Sequence, residues 1–400
     1  MRYILINSLK AGGAERVAQI LSEKIADEII VLENEQDFLI NLPIKKLSNH
    51  NSKTSSFLKT LFIPIYAFRL KKIIKKNDTV ISFIERANFV NILSKIFNGN
   101  KAIITIHIGL TKKFKNKTKM LYYLLVKILY PYADLVIPVS FGISNDLVNF
   151  AKIDSKKVKV IYNPIELDKI QQLSNEEMSE EYKNIFLSNK VIINAGRLED
   201  QKAQWNLLEV FKETQKNIAD IKLVILGEGQ LKKELIQYGE KLGLNIFYDS
   251  TKQNLSDSFD VYFLGYQKNP YQYFNKAKLF FLSSHTEGFP MVVLEAMACG
   301  LPIISADCEY GPKEELSLSK LNEETLKAEF TDFGLLLPVT NRLMNEKMEE
   351  NIKKEWVKGL TEMLSDENLT KKYAELSKKR AQDFSVEKII TEWQEVLSGF

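Results

Sequence analysis

Cysteine is nearly absent from this chain. Only Cys299 and Cys308 occur in 400 residues, and their separation matches no metal-ligand spacing. No disulfide scaffold is expected, and a reduced, cytoplasmic setting follows. Long apolar runs are missing too, and none approaches the ~20 residues that span a bilayer. The first, Tyr3-Ile4-Leu5-Ile6, is too short for a signal-peptide core. The dinucleotide fingerprint G-x-G-x-x-G does not occur, which weakens a nicotinamide reading. Nor does any recognised nucleic-acid motif, so nucleic acid is not an expected partner.

What is present suits a globular α/β protein. The residues are 45% apolar and 26% charged, and 400 of them are enough for two domains. The net charge of +4 is unevenly shared: residues 1–180 hold 27 Lys and Arg against 17 Asp and Glu, and residues 181–400 hold 28 against 34. The basic half suits an anionic membrane surface or a phosphate-bearing acceptor, with solvated surface lysine as the alternative. Two segments mix bases with apolar residues, Arg69–Lys76 and Lys112–Leu125. Each can dock on anionic lipid or form an exposed helix face, and the second is read as the lipid-facing one.

The first half opens with a strand, Arg2–Asn7, a diglycine loop, Gly12-Gly13, and a helix carrying Val17, Ala18, Leu21 and Ile25 at helical spacing. A loop and helix start after a first strand can cradle an anion. Strands are expected at 28–32, 79–84, 102–108 and 135–139, and helices at 88–97 and 120–129, giving a parallel sheet covered on both faces. His107 falls at the carboxyl end of its strand, where such sheets bind ligands, with Ser140 and Gly142 as weaker candidates. Val158–Ile165 reads as a strand ending in an Asn-Pro turn, and the polar stretch to about Lys190 as the interdomain connection.

In the second half the strand Val191–Ala195 leads to Arg197 and Lys202, two cations at a helix start that suit a diphosphate. Gly227 and Gly229 are read as turn-shaping, and the backbone after Gly265 can meet a base edge. The organising stretch is His285–Gly300. An apolar strand, Lys278–Ser283, is followed by a loop bearing Glu287 and a helix bearing Glu295, with Pro290 in its first turn. The amides of Gly288, Phe289, Pro290 and Met291 are read as helix-start donors beside the two carboxylates. That combination fits a ligand with both hydroxyls and phosphates, such as a nucleotide sugar. Helices are expected at 343–364, 368–382 and 386–398.

With these pieces in order the chain resembles glycosyltransferase family 4, the retaining family with the GT-B fold. The matches are Gly12-Gly13-Ala14-Glu15-Arg16, Tyr162-Asn163-Pro164, Gly196-Arg197 with Lys202, Leu226-Gly227-Glu228-Gly229, Phe263-Leu264-Gly265, and Glu287 seven residues ahead of Glu295. The resemblance is closest to bacterial members that extend lipid-linked glycans, lipopolysaccharide or capsule. It implies two Rossmann-like domains facing across a cleft: an acceptor domain at 1–165, a nucleotide-sugar domain at 186–382, and a C-terminal helix at 383–400 packing back on the first. Two departures are read as surface insertions: the polar passage 248–258, and the charged segment between Glu314 and Phe333.

The resemblance also implies roles. Gly12 and Gly13 close over the donor phosphates, and His107 contacts the donor sugar. Arg197 and Lys202 neutralise the diphosphate. Gly265, Tyr266 and Gln267 hold the base. Glu287, with the Gly288–Met291 loop, orients sugar and phosphate, and Glu295 binds the ribose. The expected reaction moves a hexose or N-acetylhexosamine from a UDP-sugar, with retention, to a lipid-linked or lipopolysaccharide-type acceptor. The expected location is the inner face of the cell membrane. No Asp-x-Asp pair occurs, so no metal or other cofactor is expected. A GT-B-like epimerase and a non-catalytic nucleotide-sugar-binding protein are the alternatives.

Overall fold

A computed structural model describes residues 1–10, 12–37, 40–110, 117–187, 190–248, 255–256, 258–319 and 323–400, with side chains of 117–121 outside the description. Lys112, Lys113 and Lys115, most of the polar passage 248–258, and residues 320–322 therefore lie outside the described residues. The chain forms two compact units, Met1–Pro164 with Phe384–Phe400, and Ile165–Asp383.

The first unit is built on six parallel strands: β1 (Arg2–Ile6), β2 (Glu28–Val31), β3 (Ile44–Lys46), β4 (Thr79–Phe83), β5 (Lys101–Ile106) and β6 (Leu135–Pro138). Their order is β3-β2-β1-β4-β5-β6. The strand order reverses between β1 and β4, and the carboxyl ends of strands at such a switch point are where sheets of this kind bind ligands. Ile4, Ile29, Ile81 and Ile103 are buried side by side across the sheet, as expected for parallel strands covered on both faces. The helices are α1 (Gly13–Ile25), α2 (Ser56–Leu61), α3 (Ile63–Lys71), α4 (Glu85–Asn98), α5 (Lys117–Leu129) and α6 (Phe141–Asn149). The C-terminal helix Val386–Ser398 packs on α1 and buries Ile389, Trp393 and Leu397.

Three sequence expectations change in and after this unit. Val158–Ile165 forms no strand. It runs beside β6 through a single bridge, Val136 to Val158, and two backbone bonds, Lys159 N to Val136 O at 3.1 Å and Ile161 N to Pro138 O at 3.2 Å. The basic segment Arg69–Lys76 is helical only to Lys71. The polar stretch expected as a connection holds α7 (Leu167–Ser174) and α8 (Glu180–Leu187). Its polarity belongs to outward faces, while Ile170, Met178 and Ile185 point inward.

The second unit continues with β7 (Lys190–Ala195), α9 (Gln204–Thr214), β8 (Ile221–Leu226), α10 (Lys232–Lys241), β9 (Ile246–Tyr248), β10 (Val261–Phe263) and α11 (Tyr271–Phe274). There follow β11 (Leu279–Leu282), α12 (Met291–Ala298), β12 (Ile303–Ala306), α13 (Pro312–Leu316), β13 (Glu329–Phe330), β14 (Leu335–Leu337), α14 (Glu350–Ser365) and α15 (Glu367–Ala381), and the C-terminal helix becomes α16. The strand order is β13-β14-β12-β11-β7-β8-β10-β9, parallel except for β13 against β14. The switch point here lies between β7 and β11, so the loops after these two strands leave the sheet as neighbours. Helix α14 starts at Glu350 rather than near residue 343. The residues before it include Arg342, whose guanidinium is buried and bonded to Asn206 Oδ1 at 2.6 Å and Glu209 Oε2 at 2.7 Å.

Candidate active site

In the second unit the post-β7 and post-β11 loops are tied together by four contacts. His285 N donates to Gln201 O at 2.9 Å, and Gln201 Nε2 donates to Thr286 O at 2.7 Å. Ser283 Oγ donates to Lys202 O at 2.9 Å. Lys202 Nζ meets Glu287 Oε1 at 2.6 Å, with both side chains largely shielded from solvent. A cation and an anion held this way form a charge-assisted pair whose remaining N–H and oxygen can still bond a ligand. The geometry of Lys202 depends on the turn after β7. Ala203 has φ +48°, the left-handed region, which reverses the chain between Lys202 and α9.

The Gly227–Gly229 turn after β8 acts as a backbone spacer. A Cβ on Gly227 would lie 2.0 Å from Gly196 O, and one on Gly229 2.3 Å from Leu198 O. These close approaches let Gly196 N donate to Leu226 O and Leu198 N to Glu228 O, both at 3.0 Å. The turn thus fixes the segment that carries Arg197. Arg197 itself is exposed and pairs with Glu199 at 3.1 Å.

Pro290 is the residue before α12, not within its first turn. It has no N–H, so it leaves the donor set of the Gly288–Met291 loop, and Met291 and Val292 lead the helix with N–H groups that no intrahelical carbonyl can reach. Gly311, at φ +86°, lets the loop after β12 close on this segment, because a Cβ there would lie 2.7 Å from Pro290 Cδ. Glu295 lies just over one turn into α12, buried, and accepts from Tyr271 Oη at 3.3 Å. It is not part of the Lys202–Glu287 pair. After β10, Gly265 takes φ +66° and its carbonyl accepts from Gly227 N at 2.7 Å. Gln267 folds back onto Leu264 O at 2.6 Å, while Tyr266 is exposed.

Sequence reading missed Glu315, on α13. Burial, with Glu287 and Glu314 nearby, pushes its carboxyl well above the usual carboxylate range. Cys308 is likewise pushed up by burial and by Glu287. Neither carries a motif, since only the fold brings them near Glu287.

In the first unit Gly12 and Gly13 follow β1 and are exposed. Glu15 curls over the loop, and its Oε2 lies 2.2 Å from where a Gly12 Cβ would be. The helix start thus has a carboxylate of the chain itself in its first turn. His107 follows β5, with its ring 5.5 Å from that of Phe83. Burial lowers its pKa from 6.5 to about 4. Thr105 Oγ1 donates to Ser82 O at 2.9 Å and lies 3.1 Å from His107 Nε2. With its one proton committed, the hydroxyl must accept from Nε2–H, which leaves Nδ1 as an acceptor for a ligand hydroxyl. Ser140 is the N-cap of α6 and accepts from Ile143 N at 3.3 Å, a structural role. Ile84, between β4 and α4 at this unit's switch point, has φ +71°, rare for a β-branched residue.

Residues 11–169 match the family model described as Glycosyltransferase Family 4, and residues 175–322 match Glycosyl transferases group 1. A glycosyltransferase of Methanocaldococcus jannaschii is 34% identical, over 83% of this chain and 82% of its own. The N-acetylgalactosamine-N,N'-diacetylbacillosaminyl-diphospho-undecaprenol 4-alpha-N-acetylgalactosaminyltransferase of Campylobacter jejuni is 32% identical, over 99% of both chains. The crystal structure of Anabaena HepE in complex with UDP and glucose shares the fold at a TM-score of 0.75 and 20% identity, over 100% of this chain and 99% of that one. The chain belongs to the family 4 glycosyltransferases, with two Rossmann-like units of the GT-B class. It is therefore a glycosyl-transferring enzyme.

Proposed function

We propose that the enzyme transfers a hexose or N-acetylhexosamine from a UDP-sugar, with retention at the anomeric carbon, to a lipid-diphosphate-linked or lipopolysaccharide-type glycan. The Lys202–Glu287 pair at the β7/β11 switch point, beside the start of α12, carries this reading. In it Lys202 and Arg197 balance the leaving diphosphate, the α12 amides add to that, and no metal takes part. Glu287 accepts from a sugar hydroxyl, Glu295 from the ribose, and the 265–267 backbone meets the base. His107 offers a neutral Nδ1 to a substrate hydroxyl. The bond from C1 to the diphosphate oxygen breaks as the acceptor oxygen bonds C1 on the same face, and the leaving phosphate takes the acceptor proton. Glu287 already has its charge bound to Lys202, which favours this front-face route over attack by a free carboxylate. The Campylobacter relative, named for a diphospho-undecaprenol acceptor, supports the lipid-linked class.

The test is a panel of UDP-, GDP- and ADP-sugars with a synthetic lipid-diphosphate sugar. Release of UDP that depends on acceptor, with an α-linked product by NMR, is the expected outcome. An inverted product, a covalent sugar on Glu287 by mass spectrometry, or epimerised donor without acceptor would each overturn it.

A further inference from the structure

Helix α2 is patterned inside out. Its one charged residue, Lys59, is the buried one, 7% exposed, and its Nζ binds Glu33 Oε2 at 2.6 Å. Arg86 binds the other oxygen of the same carboxylate. The apolar residues face outward instead: Phe57 is 66% exposed and Leu61 59%. On α3, which follows directly, Ile65 and Phe68 are exposed, the latter at 53%. Helix α5 adjoins α2, since Tyr122 Oη lies 3.5 Å from Thr60 Oγ1, and it adds exposed Leu124 and Ile128. A helix that only met water would turn Lys59 out and these side chains in, because burying a lysine requires a partner to offset its lost hydration. The Glu33 contact supplies that partner and locks the inverted orientation.

The rim of this face has one sign of charge. Residues 38–77 and 86–133 contain no Asp or Glu, while each of the two stretches contains nine Lys and Arg. Arg69, Lys71, Lys72, Lys75, Lys76 and Lys127 are exposed, and they lie in or just after the helices that carry the exposed apolar residues. Lys72 lies over the Phe68 ring at 4.8 Å and Lys127 over the Tyr123 ring at 5.0 Å, so the bases sit against the apolar surface rather than away from it. Protein interfaces are depleted in lysine, whereas apolar side chains ringed by lysine match the headgroup layer of an anionic bilayer. We infer that the outer face of α2, α3 and α5 docks on the surface of an anionic lipid bilayer, with Phe57, Leu61 and Phe68 entering it. It would hold the enzyme where a lipid-carried acceptor is found. That placement beside the acceptor rests on the proposed function; the docking itself does not.

The experiment is flotation of the full chain with vesicles of phosphatidylcholine alone, or mixed with phosphatidylglycerol, without sugar nucleotide or acceptor. The wild type is expected to float with the mixed vesicles only, and to be released by high salt. Phe57→Ser with Leu61→Ser and Phe68→Ser should weaken that binding about tenfold, and so should Lys71→Gln with Lys72→Gln, Lys75→Gln and Lys76→Gln. Circular dichroism and the Tm check the fold, and Phe57→Ser alone serves if the triple variant misfolds. The inference falls if the wild type does not float, or if both variant sets bind like wild type. It also falls if the apolar face instead mediates lipid-free dimers that the triple variant abolishes. Because no sugar is present, its failure leaves the donor reading untouched, and failure of the sugar panel leaves the docking untouched.

Discussion

Lys202 and Arg197 come from one loop but carry different structural burdens. Arg197 is exposed, and its contact with Glu199 contributes about 0–1 kcal/mol. Arg197→Ala should therefore leave the Tm in place while lowering kcat/KM. Lys202 shields a buried carboxylate, so Lys202→Met should do both kinds of damage. Turnover should fall about 100-fold, the scale for losing one stabilising group at a developing charge. Stability should fall by about 3 kcal/mol from the unpaired Glu287. Adding Glu287→Gln should restore most of the Tm but none of the turnover. Urea unfolding beside steady-state kinetics separates the two effects, and a Lys202→Met enzyme with normal turnover contradicts the diphosphate role. His107 has a pH signature. Its native pKa is about 4 against 6.5 when unfolded, so between these values only the unfolded chain takes up the proton. Stability should fall as pH drops from 6.5 to 4, by no more than about 3 kcal/mol since the ring is partly exposed. In His107→Gln the urea midpoint should vary less across that window.

At the scale of elements, the strand-loop-helix units were legible because parallel strands are apolar on both faces and their loops hold the polar residues. The strands Ile221–Leu226 and Ile303–Ala306 stand out in that way. Val158–Ile165 has the same composition, yet it meets β6 through scattered bonds only, and composition does not report hydrogen-bond partners. The paired loops bearing Lys202 and Glu287 are 85 residues apart in sequence, and only the strand order makes them neighbours. Motif spacing pointed to the residues but not to their ion pair, and nothing in sequence marked Glu315 or the inverted helix α2. The Gly227 turn was read as structural, and its closeness to Gly196 makes that testable. Gly227→Ala brings a methyl against Gly196 O at a backbone angle of +135°. It should cost about 2–3 kcal/mol, read by urea unfolding, and lower turnover by moving the Arg197 segment. A stable and fully active Gly227→Ala enzyme would show that the loop tolerates the shift.

For the molecule as a whole, the first unit is discontinuous in sequence: it ends at Pro164 and resumes at Phe384. Helix α16 covers the α1 face of that unit and buries Trp393 and Leu397. Deleting residues 386–400 should lower the Tm of the first unit and raise hydrogen exchange in α1, with α9 and β8 of the second unit largely unchanged. Equal exchange in α1 of the truncated and full chains would mean that α16 is dispensable. The same discontinuity sets an order of events on the ribosome. The 219 residues Ile165–Asp383 are made between the two parts of the first unit. At about 5–20 residues per second, that is roughly 10–40 s in which α1 has no α16 to cover it. Over that interval the later-made unit can finish folding before the earlier one is complete, and the nascent chain carries a helix with an uncovered apolar face that chaperones can bind.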